Sequence, residues 1–359
     1  MLRAIFSSPT NVLLAAAPAA WILAATAHDS PWLFITAAVS LVPLAGLIGL
    51  GTEHLADRSG PALGGLLNAT FGNAAELIIA LVALGNGHVG LVKASITGSI
   101  VGNLLLVLGL SFFVGGLGRP SQTFHRTAAT NTAAMLFLAV VALVMPAVFD
   151  LALFGTLEAH PAAIDRLSFW SALVLITAYA GSLIYGFTAQ RDLFRQDCEP
   201  QRTLLPVRTA VGVLALGTVL TTVQAEILVR AMEPALARFG FTELFVGAVV
   251  IALIGNAAEH YSAVVAAARD EMTLAVEISV GSSAQIALLV APALVLYSFA
   301  IGRPMTLLFN AFEIAAITLS VLATSIVVVD GESNWVEGLQ LLSVYLILAL
   351  ALYFVPAPG

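Results

Sequence analysis

The chain has 359 residues, of which 60% are hydrophobic and only 10% charged, with a mean hydropathy of +1.00 and a formal net charge of −7. A soluble domain carries roughly 25% charged residues, so most of this surface faces something other than water, which excludes a soluble enzyme. No basic cluster points to nucleic acid, and the single cysteine, Cys198, excludes an intrachain disulfide or a thiolate metal site.

Apolar runs of 18 or more residues recur, the length that spans a hydrocarbon core. In lipid they must be helices, because each backbone amide has to bond within its own segment. Their polarity does not alternate every second residue, as outer-membrane strands would require. The runs predict eleven spans. The first, 11–27, follows Arg3 and ends on Ala25-Thr26-Ala27, which mimics a cleavable secretory signal. Because the stretch through Trp21 is long enough to span, it is read as a retained helix. Spans at 32–52, 61–84, 88–115, 127–149 and 167–189 follow. The longest connection, Arg191 to Arg208, holds four Arg and Cys198 and reads as a seam between halves. Beyond it lie spans at 209–231, 241–268, 273–300, 306–329 and 335–355.

Lys and Arg concentrate in cytoplasmic loops. With the N-terminus inside, Arg3, Arg58, Arg119, Arg126, Arg191, Arg195, Arg202, Arg208 and Arg269 fall inside, and Lys93, Arg166, Arg230, Arg238 and Arg303 outside. Nine against five favours a cytoplasmic N-terminus and, after eleven spans, an outer C-terminus. The expected location is the inner (plasma) membrane of a prokaryote.

An internal repeat links the halves. Gly72-Asn73-Ala74-Ala75-Glu76 recurs as Gly255-Asn256-Ala257-Ala258-Glu259, an offset of 183. The same offset carries Gly64 to Gly247, Ala69 to Ala252, Gly98-Ser99 to Gly281-Ser282, Leu105 to Leu288 and Val107 to Val290. Register held over this distance implies two homologous helix pairs. Five spans separate the copies, so they are predicted to be inverted in the membrane, the arrangement that puts a transporter's substrate near the midplane.

Glu76 and Glu259 stand in the middle of apolar spans, where a carboxylate by default marks an ion or proton pathway. Asn73 and Glu76, like Asn256 and Glu259, are three apart and share a helix face. Gly72 and Gly255 precede them, where a helix can open and free its carbonyls. Two such sets make an all-oxygen shell with two negative charges, which suits calcium. His260 is the only imidazole beside the motif, so a soft-metal site is not expected. Protons compete for the same carboxylates, and a pair that binds either calcium or protons is the minimal device for exchange. Sodium can occupy such a pair too, so the residues alone leave the coupling ion open.

Around this centre the candidates for lining or relay are Asn68, Ser99, Asn103, Glu226, His260, Ser282 and Gln285. Ser99 and Ser282, each beside a glycine, serve equally well for close helix packing. Asn103 and Gln285 do not align at the repeat offset, and Asn68 lies five before Asn73. Glu226 sits among Thr221, Thr222 and Gln224, as a gate, a relay or the outward end of a helix. Glu277 and Glu313 fall nearer span ends, where a charge is cheap. Asp150, His160 and Asp165 are expected in a solvated outer loop.

The stretch from Gly64-Gly65-Leu66-Leu67-Asn68-Ala69-Thr70-Phe71 through Gly72-Asn73-Ala74-Ala75-Glu76 resembles the first repeat signature of the calcium/proton antiporters in the cation/calcium exchanger superfamily. Gly255-Asn256-Ala257-Ala258-Glu259-His260 and the run from Gly281-Ser282-Ser283-Ala284-Gln285 to Val290 resemble the second. Similarity continues through Gly302-Arg303-Pro304-Met305 and the run from Asp330 to Gly338. The resemblance implies an all-α integral membrane fold of eleven transmembrane helices, one extra N-terminal helix plus two inverted five-helix repeats. The corresponding division is 1–31, an N-terminal transmembrane helix; 32–190, the first repeat; 191–208, a cytoplasmic linker; and 209–359, the second repeat. It further implies that Glu76 and Glu259 bind calcium and protons alternately, assisted by Asn73 and Asn256, while the second and seventh spans gate. Calcium is then the transported ion, with no cofactor, and the partners are calcium, protons and the lipid bilayer. Many relatives carry a strongly acidic segment between the halves. Here Asp192, Asp197 and Glu199 mix with four Arg.

The alternatives on the same fold are a sodium or potassium/proton antiporter and a sodium/calcium exchanger. The relatives of the latter usually carry Thr-Ser-Pro-Glu-like repeats where this chain has Asn-Ala-Ala-Glu. A membrane metalloprotease would need a pattern such as H-E-x-x-H, which is absent, so no enzyme is expected.

Overall fold

The structure is a computed structural model that describes residues 9–154, 161–189 and 205–356. Cys198, His160 and most of the expected linker lie outside the described residues.

A 3-10 turn, Pro9–Ala15, leads into α1 (Ala16–Thr26). Helix α2 (Pro31–Phe71) starts with Pro in its first turn, where the missing N–H costs nothing, and bends at Gly60. Gly60 has φ 77°, a non-helical conformation that favours glycine, and it parts Pro31–Gly60, which covers the second expected span, from residues 61–71, the first half of the third. Helix α3 (Ala74–Gly85) completes the third. Then come α4 (Val89–Gly116), strand β1 (Gln122–Thr123), α5 (Arg126–Phe154), α6 (Pro161–Ala189) and α7 (Val207–Arg230). The second half continues with α8 (Met232–Phe239), α9 (Glu243–Gly255), α10 (Ala257–Ala268), α11 (Met272–Ala300) and α12 (Ala311–Val327). Strand β2 (Glu332–Ser333) and α13 (Trp335–Phe354) end the described chain. Among the described residues, seven helices are long and apolar enough to cross a membrane, or eight if α8 and α9 form one span.

The chain divides into two compact units. Unit one comprises Met1–Asn86, Ala180–Gly240 and Ile254–Ala258, over the described residues. Its centre is α2 packed on α7 through glycines. A Cβ on Gly51 would fall 2.9 Å from the Leu214 Cβ, and one on Gly217 would fall 3.1 Å from an Ile48 side-chain carbon. Small residues let membrane helices approach in this way, since no hydrophobic force drives them together in lipid. Leu44, Leu47 and Val213 fill the adjoining core.

Unit two comprises Gly87–Tyr179, Phe241–Leu253 and Glu259–Gly359. Here α4 packs on α9 backbone to backbone. A Cβ on Gly98 would fall 1.9 Å from the Ala248 carbonyl oxygen, and one on Gly247 would fall 2.6 Å from the Ala94 Cβ. Gly109 and Gly338 bring α4 and α13 together in the same way. Strands β1 and β2 pair antiparallel, Gln122 with Ser333 and Thr123 with Glu332. Residues 303–310 are not helical, although the tenth span was expected to begin at 306. Their backbone is satisfied by side chains instead. The Ser298 hydroxyl accepts from Met305 N–H at 2.7 Å, the Ser168 hydroxyl from Leu307 N–H at 2.9 Å, and Lys93 Nζ donates to the Leu308 carbonyl at 2.8 Å. Irregular backbone is tolerated at membrane depth only with such partners.

Candidate ion-binding site

Both Gly-Asn-Ala-Ala-Glu motifs interrupt a helix at the same place. α2 ends at Phe71 and α3 begins at Ala74, and α9 ends at Gly255 and α10 begins at Ala257. The break puts Glu76 and Glu259 in the first turn of the helix that follows. Unpaired N–H groups and the helix dipole favour negative charge there, which offsets part of the cost of burying a carboxylate.

In unit one, Asn73 and Asn256 are 1% exposed and Glu76 is 7% exposed. The second motif reaches the first within this unit. A Cβ on Gly255 would fall 2.9 Å from Cγ of Glu76 and 3.5 Å from its carboxyl carbon. Glycine at 255 is therefore what leaves room for the Glu76 side chain. Asn68, in the last turn of α2, is exposed, and its carbonyl accepts from Gly72 N–H at 2.7 Å.

In unit two, Glu259 is half-buried and hydrogen-bonds with Ser282. Asn103 Nδ2 donates to the Ser282 hydroxyl at 3.1 Å, and Asn103 Oδ1 lies 3.2 Å from His260 Nε2. Four sequence candidates thus form one chain: Glu259, Ser282, Asn103 and His260. Oε2 of Glu259 is buried with no protein donor among the described residues. Asn103 belongs to a π turn, Gly102–Val107, and Gln285, half-buried, immediately precedes another, Ile286–Val290. Such turns locally widen a helix and re-aim its side chains. At the offset of 183, the second turn corresponds to residues 103–107, within the first. Ser99 is buried on α4.

Glu226 lies in the last turns of α7. Arg230 binds it at 2.7 Å, and Asn86 Nδ2 donates to it at 3.3 Å. This is an ordinary i,i+4 ion pair at a helix terminus, and it lends no support to a relay. Among the described residues no three His, Cys, Asp or Glu side chains cluster as a metal site. The oxygen donors on hand are single carboxylates with amides, hydroxyls and backbone.

Two sequence readings need correction. Asp150, expected in a solvated loop, is fully buried within α5. Glu313, expected to be a cheap charge near a span end, is 3% exposed. It forms a capping box with Asn310, each side chain accepting from the other's backbone N–H at 2.9 Å. Its charge is offset by Lys93, which reaches from α4 to Thr306 and Leu308 and lies over the Phe309 ring. The Asn310-x-x-Glu313 spacing was a legible capping signal. Lys93 gave none, because as a cation near a loop it was counted toward topology.

A mostly helical membrane chain with carboxylates in the first turn after each of two helix breaks defines the class, an integral-membrane cation transporter. The chain belongs to the family described as sodium/calcium exchanger protein, whose model matches residues 29–188 and 209–354. It is 41% identical over 358 residues to a Ca(2+)/H(+) antiporter of Synechocystis, covering 93% of this chain and 95% of that one. A Ca(2+)/H(+) antiporter of Bacillus subtilis is 39% identical, over 95% of this chain and 98% of the relative. The solved structure of native YfkE superposes with a TM-score of 0.83 at 38% identity, over 96% of this chain and all of that one. An H+/Ca2+ exchanger structure at 16% identity and a TM-score of 0.69 shares the fold.

Proposed function

We propose that the chain is a secondary active antiporter that exchanges calcium for protons across a membrane by alternating access. What carries this reading is the pair of carboxylates at the helix breaks, Glu76 buried and Glu259 half-buried with its Oε2 enclosed, in a chain that aligns over more than nine-tenths of its length with calcium/proton antiporters. The donors are all oxygen, as a hard divalent ion requires. Asn73 and Asn256 assist, and Ser282, Asn103 and His260 hold Glu259.

Eleven spans, one extra and two inverted sets of five, remain our reading of the layout. The matching helix breaks and matching π turns support it. The division at 31, 190 and 208 is part of the same reading. The N-terminus is cytoplasmic and the C-terminus outside, in the inner membrane of a prokaryote. The close packing of α2 on α7 supports their moving as one gating body. The test is transport in sealed vesicles with calcium, sodium and potassium offered separately under an imposed pH gradient. Calcium movement that follows the gradient without sodium is expected. Movement that requires sodium and ignores pH would refute it.

A further inference from the structure

Lys93 and Glu313 place two full charges among the helices of unit two, where the fold does not require them. At the repeat offset of 183, Lys93 corresponds to Val276 and Glu313 to Thr130. Val276 is 2% exposed, so an apolar side chain fills the equivalent place on α11. A buried ion pair is often no more stabilising than apolar residues of similar volume. A pair present in one half only therefore asks for a reason other than packing.

The surroundings of the Lys93 ammonium supply one. Its Nζ donates to the Thr306 hydroxyl at 3.2 Å and to the Leu308 carbonyl at 2.8 Å, and it lies 5.8 Å from the centre of the Phe309 ring. The Glu313 carboxylate, 3% exposed, provides the opposite charge. Thr97, one helical turn beyond Lys93 on the same face of α4, is fully buried beside that carboxylate. The Leu308 carbonyl is free to accept because residues 303–310 are not helical. All of these residues belong to unit two.

Take away the lysine stem and what remains is a cage for a cation. Hydroxyl, carbonyl and carboxylate oxygens are hard donors, and carbonyls released by unwound backbone are a recurring way for transporters to hold monovalent ions. The face of an aromatic ring attracts any cation. One carboxylate balances one positive charge, whereas a divalent ion would leave an uncompensated charge buried.

We propose that these oxygens form a monovalent-cation site in which the tethered ammonium of Lys93 is the resident cation. A free alkali cation is thereby made unnecessary in unit two, and exchange should run without one. That consequence, though not the site itself, rests on the calcium/proton reading above. Lys93→Ala removes the occupant, keeps the oxygens and opens room for sodium or potassium.

The experiment is thermal unfolding in detergent of wild type, Lys93→Ala and Lys93→Ala/Glu313→Gln, each in choline, sodium, potassium or calcium chloride at matched ionic strength. In choline, Lys93→Ala should melt below wild type. Sodium or potassium should raise its melting temperature by about 2–4 °C beyond any rise seen in wild type. The rise should vanish in Lys93→Ala/Glu313→Gln, which lacks the charge that holds the ion. In vesicles, wild type should exchange equally fast in choline and in sodium, while Lys93→Ala should be several-fold faster in sodium or potassium than in choline. A Lys93→Ala melting temperature that ignores the salt, or a rise that survives the loss of the Glu313 charge, would overturn the proposal. So would a rise with calcium alone, or a Lys93→Ala protein that folds in none of the salts, since no free cation would then replace the ammonium. Wild type that moves calcium only with sodium would overturn the exchange reading and the consequence drawn from it, while the melting result still decides the site.

Discussion

Glu76 and Glu259 are held by different means. Glu76 is buried and lies against Gly255, while Glu259 is fastened through Ser282 and Asn103 to His260. Glu76→Gln and Glu259→Gln keep shape and hydrogen bonding but each remove one negative charge. At an effective dielectric of about 20, that attraction is worth several kcal/mol at short range. Either substitution should therefore weaken calcium binding by about a thousandfold or more and abolish exchange, read as calcium uptake by folded protein in vesicles. Near-normal uptake would refute the two-carboxylate account. Glu313→Gln is not a neutral control, since it leaves Lys93 in apolar surroundings without its offsetting charge. Exposed Glu332→Gln serves better. Because Gln still closes a capping box, Glu313→Gln isolates the charge. Glu313→Gln and Lys93→Met should each lower the melting temperature, and together lower it by less than their sum, a coupling of about 0.5–3 kcal/mol. Strict additivity would show that the two charges do not interact.

At the scale of elements, equivalent glycines make opposite predictions. Gly98→Ala forces a Cβ into the Ala248 carbonyl, and overpacking of this kind costs about 1–3 kcal/mol or more. Gly281→Ala meets open space and, alanine being the better helix former by about 1 kcal/mol, should hold or slightly raise the melting temperature in detergent. Equal effects would contradict the packing described for α4 and α11. The repeat, the two motifs and the course of most spans were legible, because hydropathy and a conserved offset are properties of composition and order. Helix breaks were legible only in part. Gly72 and Gly255 announced theirs, and the break at Gly60 falls at the end of the polar stretch from Glu53 to Ser59, where the second and third spans were expected to part; that helix runs on through most of this stretch did not show. Residues 306–310 read as part of a span because hydropathy weighs side chains, whereas Ser168 and Lys93 carry the backbone there. The links from Glu259 to His260 were hidden for a similar reason. Asn103 lies 157 residues from His260, and only the fold brings them together.

For the whole molecule, the arginine distribution predicts a cytoplasmic Cys198. An impermeant thiol reagent should fail to label it in intact cells and label it in inverted vesicles, and the opposite pattern would reverse the orientation. Lys93 no longer counts in that argument, since its side chain is committed to Thr306 and Leu308. The central claim is that calcium moves against protons at Glu76 and Glu259. The most direct test is purified protein in sodium-free proteoliposomes, with calcium flux and internal pH followed together after a pH jump. Wild type should move the two ions in opposite directions and stop when the pH gradient is collapsed, while Glu259→Gln moves neither. Calcium flux that persists unchanged after the gradient is collapsed, or that survives in Glu259→Gln, would contradict it.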